Sequence, residues 1–336
     1  MATDSPTSHH TVTLYDIVAA GSVLNEVVTR TPLLENADVN EALGGRLLIK
    51  AESFQRTGAF KFRGAYNCIR QLTDAERARG AITYSSGNHA LGVALAARLL
   101  SSSALIVMPS DVPTAKMMAA RELGCEIATF ERDHENSDEV VERLRAETGR
   151  IIVPPSADAR VLAGAGTVAL ELYEQARNLG ARPDAVLIPC GGGGLTAATA
   201  VAMNALSTWT SVYSAEPLLF DDTRRSLEAG ERIANPKGQR TICDAIMTPI
   251  PNEVTFPINH RLLAGGVVAS DEEVRAAMRF AYEHYKIVVE PGAAVGIAAV
   301  LSGAVEIKGR VVATVVTGGN VDPVRFCELL NEQSKS

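Results

Sequence analysis

Ala185-Val186-Leu187-Ile188-Pro189-Cys190-Gly191-Gly192-Gly193-Gly194-Leu195-Thr196 joins an apolar run to a helical pattern through four consecutive glycines. The run Ala185–Pro189 shows no polar alternation, which describes a strand buried on both faces. Thr196–Leu206 then reads as a helix. Strand, tight turn and helix make the unit of an open parallel sheet, whose ligands sit beyond the carboxyl ends of its strands. A glycine run lets backbone amides converge on an anion, helped by the dipole of the following helix. In a merely structural turn it would carry a needless entropy cost. A phosphate or another anion is therefore expected at Gly191–Gly194. The same residues admit a rival. Gly192, Gly194 and Ala197 fit GxGxxA, and Glu216 follows about twenty residues on, the spacing of a dinucleotide fingerprint. An NAD-dependent oxidoreductase is the competing class.

Outward from this stretch the same grammar repeats. Arg46–Lys50, Ala81–Ser85, Ala104–Met108, Cys125–Phe130, Ile151–Val153, Ser211–Ser214 and Val311–Val316 read as further strands. Helical patterns lie between them, up to about Leu100, over Thr114–Leu123 and over Ser137–Thr148. Continuous apolar strands alternating with helices predict an α/β fold with parallel sheets covered on both faces. The βα units between about Ala81 and Pro154 form a self-contained series. This predicts a small domain over 76–154 and a large one assembled from 1–75 and 155–336.

Composition narrows the function classes. The 336 residues include 46% apolar and 21% charged ones, values that allow a sizeable core in a globular protein. A formal charge of −7 offers no basic face to a nucleic acid. No run of 18 uncharged apolar residues exists, so no membrane span is expected. Met1–His10 is polar and lacks the apolar centre of a signal peptide, and His9 and His10 read as tail rather than as metal ligands. Cys68, Cys125, Cys190, Cys243 and Cys327 are scattered and odd in number. Reduced thiols in a cytoplasmic protein are the simple reading.

Several short segments carry chemistry. Gln55-Arg56-Thr57-Gly58-Ala59-Phe60-Lys61-Phe62-Arg63-Gly64 places one of only seven lysines between two aromatic residues. A lysine that forms a Schiff base must be partly neutral, and apolar neighbours lower its pKa. A lysine snorkelling from a helix start is the plainer alternative. Ser85-Ser86-Gly87-Asn88-His89-Ala90 falls where a strand becomes a helix and suits a carboxylate, although Ser and Asn are also ordinary helix caps. Thr317-Gly318-Gly319-Asn320 follows a strand and reads as a turn with a hydroxyl that can face a ring nitrogen. Glu290-Pro291-Gly292 reads as a turn. Glu216, Asp221 and Asp222 can hold a hard divalent cation or form a solvated acidic loop.

Taken together, the Phe60-Lys61 segment, Ser86-Gly87-Asn88-His89, the tetraglycine loop and Gly318-Gly319-Asn320 resemble, in order, the fold type II pyridoxal-phosphate (PLP) enzymes of the serine/threonine dehydratase and serine racemase group. The resemblance runs from about Thr31 to Asp322. It implies two open, mainly parallel twisted sheets flanked by helices, with the cofactor in the cleft between domains. It also implies Lys61 as the Schiff-base lysine and base, Phe60 against the cofactor ring and Asn88 on the ring hydroxyl. Gly191, Gly192, Gly193 and Gly194 match the phosphate loop, and Thr317 matches a neutral partner of the pyridine nitrogen. Such a partner suits β-elimination better than transamination. Ser85, Ser86, Gly87, Asn88 and His89 match the loop that grips the substrate carboxylate. Glu216 and Asp222, with the Phe220 carbonyl, match a site for Mg²⁺ or Ca²⁺.

The reaction so implied is loss of water and ammonia from an L-β-hydroxy amino acid, giving a 2-oxo acid. Ser86 adds a racemase as the alternative, because racemase-like members carry a serine there. Leu91, Ala165 and Ala245 depart from the usual Gln, Gln and Gly. Two of these changes remove polarity, so a bulkier apolar substrate such as 3-phenylserine stands beside threonine and serine. Hydroxyaspartate would want an extra cation, which the sequence does not locate. The end at Ser336 leaves no room for a regulatory domain, so no isoleucine feedback is expected. A monomer or a homodimer fits equally.

Overall fold

The structure, a computed structural model, describes residues 11–112, 114–131 and 134–331. Met1–His10, with His9 and His10, lie outside the described residues. Among the described residues ten strands form two sheets. They are β1 (Leu33–Leu34), β2 (Arg46–Ala51), β3 (Ala81–Tyr84), β4 (Ala104–Pro109), β5 (Glu126–Phe130), β6 (Ile151–Ile152), β7 (Ala185–Pro189), β8 (Ser211–Pro217), β9 (Gly265–Ala269) and β10 (Val311–Val316).

The larger sheet runs β1-β2-β10-β7-β8-β9 and is parallel except for β1, which pairs antiparallel with β2. The smaller sheet, β5-β4-β3-β6, is wholly parallel. The two mainly parallel sheets expected from the sequence are present. Two strands were not foreseen. β1 has only two residues, and β9 begins at Gly265-Gly266, which carry no strand signal. β8 also runs three residues past its expected end, because the buried acid Glu216 interrupts its apolar run.

Strand order decides where chemistry can occur. In the larger sheet β2, β10, β7 and β8 are consecutive neighbours. Their carboxyl ends therefore lie side by side, although the segments that follow them are remote in sequence. β2 leads to Lys61, β10 to Thr317, β7 to the glycines and β8 to Glu216.

Two features seat the Lys61–Arg70 helix. It crosses the Ala159–Asn178 helix glycine on glycine. A Cβ at Gly64 would stand 2.7 Å from the Val161 carbonyl oxygen, and one at Gly164 would stand 2.5 Å from that of Arg63. Beneath this crossing lies a buried ion network. Arg63 donates to Glu171 at 2.7 Å and to Glu52 at 2.8 Å, and Lys50 Nζ meets Glu171 at 2.6 Å. Lys50, Glu52 and Arg63 have no exposed surface. Two cations and two anions cancel, so burial leaves no net charge uncompensated.

Candidate active site

Lys61 opens its helix directly after a strained turn. Thr57 and Gly58 are both left-handed, at φ 61° and 71°, a conformation disfavoured for a β-branched residue. The turn is tied across to the segment after β10. Phe60 N donates to the Thr317 carbonyl (3.0 Å), Gly319 N to the Gly58 carbonyl (3.0 Å), and Asn320 Nδ2 to the Thr57 carbonyl (2.7 Å). Lys61 Nζ, in the cleft, donates to the Pro155 carbonyl at 2.9 Å and lies 5.1 Å from the Phe60 ring centre. Desolvation pushes its ammonium down to about 8, against the opposing pull of Glu290. The half-buried Lys61 thus bonds a backbone carbonyl remote in sequence.

The segment after β3 supplies Asn88. Neither Ser nor Asn caps the Asn88–Leu99 helix. Its N-cap is Gly87, with no side-chain cap bond. The Asn88 side chain is committed elsewhere: Nδ2 donates to Glu290 Oε1 at 2.7 Å, and Oδ1 accepts from Asn320 Nδ2 at 2.8 Å. The amides of that first turn are thereby left for an anion. Ser85 Oγ accepts from Gly87 N at 3.2 Å, while Ser86 Oγ has no hydrogen bond among the described residues. His89 is buried. Its Nε2 faces the Val153 carbonyl at 2.9 Å, which requires the proton on that nitrogen and leaves Nδ1 without a partner. Burial first, and Lys61 second, push the imidazole down to about 3. The ring is thus neutral, and its backbone amide rather than its side chain can serve a substrate carboxylate.

The glycine loop is shaped as a cradle. Gly193 is left-handed at φ 78°, and a Cβ there would stand 2.5 Å from Asn259 Nδ2 and 2.9 Å from Thr255 Oγ1. A Cβ at Gly192 or Gly194 would meet Ser156 at 2.9 or 2.8 Å. The loop carbonyls are drawn away. Gly192 O accepts from Thr255 Oγ1 (2.7 Å), and Gly193 O accepts from Thr196 Oγ1 (2.8 Å) and Asn259 Nδ2 (3.1 Å). Among the described residues the amides of Gly191, Gly192 and Gly193 donate no hydrogen bond. Gly194 and Leu195 share a small cavity with Phe60, Lys61 and Ala165. Of the four loop glycines, Gly194 thus lines the cavity that Lys61 also lines.

Glu216 is fully buried. It accepts from the amides of Thr223 and Arg224, both at 2.8 Å, and from Ser214 Oγ at 3.2 Å. Both oxygens already accept from the protein, Oε1 from Thr223 and Oε2 from Arg224 and Ser214. Desolvation, and then Asp222, push it up to about 8. Asp222 Oδ1 accepts from Asn235 at 2.6 Å, while Oδ2 is buried without a partner. Asp221 instead pairs with Arg224 and Arg225. The acidic segment is therefore largely buried, not a solvated loop.

Sequence reasoning missed Glu290 and Asn320 as members of the site. Glu290-Pro291-Gly292 is not a free turn but the start of the Pro291–Leu301 helix, with the Glu290 side chain buried. A lone acid between Val288-Val289 and an Ala-rich apolar helix was the available signal. Asn320 offered only its place after two glycines.

An amine that is readily neutral, beside amides waiting for an anion, meets both demands of a phosphorylated aldehyde. With two parallel sheets around the cleft, this defines a fold type II PLP enzyme. The chain belongs to the family described as "Pyridoxal-phosphate dependent enzyme", which matches residues 24–318. It is 38% identical to the L-threo-3-hydroxyaspartate ammonia-lyase of Saccharomyces cerevisiae over 94% of this chain and 95% of that one. It is 35% identical to the serine racemase of Dictyostelium discoideum over 96% and 98%. Among solved structures it is similar to a T.th. threonine deaminase, with a TM-score of 0.87 and 41% identity, covering 92% of this chain and 99% of that one. The dehydratase and racemase resemblance is borne out, and the oxidoreductase alternative is set aside.

Proposed function

We propose that this chain eliminates water from an L-β-hydroxy amino acid, with release of ammonia and a 2-oxo acid. The observation that carries this reading is the Lys61 amine, turned to the Pro155 carbonyl in a cavity that the last glycine of the loop, Gly194, also lines. PLP, when bound, supplies an electron sink for the pair left at the α-carbon. Gly191–Gly194 would hold its phosphate, Phe60 would pack on its ring, Asn88 would face the ring hydroxyl and Thr317 the ring nitrogen. Lys61 Nζ takes the α-proton, and the tuning of its pKa toward neutrality fits that role. Within 85–89 the amides of Ser86, Asn88 and His89 orient the substrate carboxylate, those of Ser85 and Gly87 being bonded within the protein. The expected division into 1–75 with 155–336 and 76–154 is kept as our assignment, supported by β3–β6 lying wholly within the smaller span.

For substrate we place L-threo-3-hydroxyaspartate first. The relatives support it, and Lys116 is the cation we assign to its second carboxylate. Lys116 pairs with Asp244 at 3.4 Å at the cleft and is felt by the Glu290 carboxyl. The Ala165 methyl in the cavity supports the apolar rival, 3-phenylserine. The test is the absorption spectrum of the reconstituted protein, then 2-oxo acid release from hydroxyaspartate, threonine, serine and 3-phenylserine. A visible band fixed onto Lys61 by borohydride is expected. Release from none of the four would refute the reading.

Ser86 supports a second activity, because its hydroxyl is uncommitted. In Ser86→Ala we expect racemization to fall at least about tenfold with elimination retained; chiral chromatography showing unchanged racemization would remove Ser86 from that role. Glu216, Asp222 and the Phe220 carbonyl fit Mg²⁺ or Ca²⁺, because Asp222 Oδ2 is buried and unpartnered. Among the described residues no three His, Cys, Asp or Glu side chains cluster for a metal, so the carbonyl is required. Millimolar Mg²⁺ or Ca²⁺ should raise the melting temperature by a few degrees, about 2–4 °C per kcal/mol of binding energy. Asp222→Asn should abolish the shift, and a wild-type protein indifferent to both cations would end this assignment.

A further inference from the structure

Glu290 is the N-cap of the Pro291–Leu301 helix, yet its side chain makes no cap bond. It turns into the cleft instead. Its Oε1 accepts from Asn88 Nδ2 at 2.7 Å, and its own amide donates to the Gly318 carbonyl at 3.1 Å. A Cβ at Gly318 would stand 2.5 Å from Oε1 and 3.1 Å from Asn88 Nδ2. The glycine after Thr317 is thus what admits the carboxyl to this face. No salt bridge reaches Glu290 among the described residues. A buried carboxyl left in that state is costly unless it serves nearby charge.

The charged and titratable groups around it come from four directions. Lys61 and Lys116 favour its anion, while Asp244 opposes it. Cys243 lies close enough to feel it. His89 stands by Lys61 but is neutral. Lys61 is the cation that responds to Glu290 in turn.

We propose that Glu290 is a positioning residue that fixes the Asn88 amide and whose negative charge, set against the Ala59-Phe60-Lys61 turn across Gly318, helps Lys61 keep its proton. The proposal rests on the PLP reading of Lys61 and deepens it. With Nδ2 drawn to Glu290 and Oδ1 held by Asn320, Asn88 has one amide orientation. With Glu290 ionised, the Lys61 ammonium is retained to higher pH. Desolvation pushes the Glu290 carboxyl up to about 7, so its charge changes close to the range in which Lys61 titrates.

The test uses the cofactor-free full-length chain. Lys61 is acylated by an amine-selective anhydride across a pH series, and labelling is quantified by peptide mass spectrometry with the other lysines as internal controls. Glu290→Gln keeps an acceptor for Asn88 and removes the charge. The midpoint of Lys61 labelling should then fall by roughly one pH unit. Glu290→Asp keeps the charge, and its midpoint should stay near wild type. A Glu290→Gln midpoint equal to wild type overturns the proposal, as does a Glu290→Asp midpoint that falls equally. A role in folding alone would change stability and leave both midpoints in place. Wild-type protein reconstituted with PLP and reduced with borohydride separates the two levels. Absence of label on Lys61 there defeats the functional reading, whereas label on Lys61 with unmoved midpoints defeats only this inference.

Discussion

Lys61→Ala is expected to lower turnover on any β-hydroxy amino acid by roughly 10²–10⁴-fold, the range for loss of a positioned acid–base group. The visible band should vanish with it, because Lys61 is the one lysine among the residues that line the cavity with Gly194. PLP should still bind weakly and reversibly, since the phosphate cradle is untouched. Wild-type protein adds a pH signature. The neutral amine is the nucleophile, so cofactor capture by the cofactor-free chain should speed up as pH rises through about 8, where Lys61 loses its proton. Stopped-flow absorbance reads both effects. A variant that retained full turnover, or a capture rate flat between pH 7 and 9, would count against Lys61.

Glu171→Ala is expected to destabilise the fold by about 3–5 kcal/mol, the cost of leaving buried charges unpaired. Glu171 alone touches both cations of the network, Lys50 at 2.6 Å and Arg63 at 2.7 Å. Without it Lys50 and Arg63 face only Glu52. The two cations differ in their response. Burial already drives Lys50 below the usual lysine range, so in the variant Lys50 can shed its proton as pH rises, whereas Arg63 cannot. The deficit should therefore shrink between pH 7 and 9. In wild-type protein the Glu171 carboxylate itself acts in the acid range. Burial raises the Glu171 carboxyl, but Arg63 and Lys50 outweigh it and hold it low. Its contribution is present above the ordinary carboxylate range and lost as pH falls through its depressed value. Chemical denaturation at several pH values measures both trends, and a deficit under 1 kcal/mol would show that the network is not the anchor of the Lys61 helix. Since Arg63 follows Lys61 by two residues, cofactor affinity should fall with stability.

The parts of the site legible in the sequence were those whose chemistry is local. Four glycines after an apolar strand suggest an anion cradle, because backbone amides alone can bind such a ligand. Lys61 between Phe60 and Phe62 suggests a desolvated amine for the same reason. The parts that were illegible depend on partners far along the chain. Asn88 reads as a helix cap until Glu290 and Asn320, over 200 residues away, are seen to hold its amide. Glu290 reads as a turn residue until Gly318 gives it room. Lys116 is one surface lysine among several in the sequence, and its pairing with Asp244, 128 residues on, appears only in the fold.

The sequence by itself determined the alternation of strands and helices, the anion cradle and the candidate lysine, because periodicity and glycine content act within a few residues. Only the tertiary structure decided which ends meet. The order β2-β10-β7-β8 is set by how apolar strands from both halves of the chain pair in one sheet, and no local pattern encodes it. That pairing puts Lys61, Thr317 and the glycine cradle on one edge. Across the cleft, burial then couples Glu290 to both Asn88 and Lys61, since charges separated from water act on one another at a distance that sequence spacing does not record.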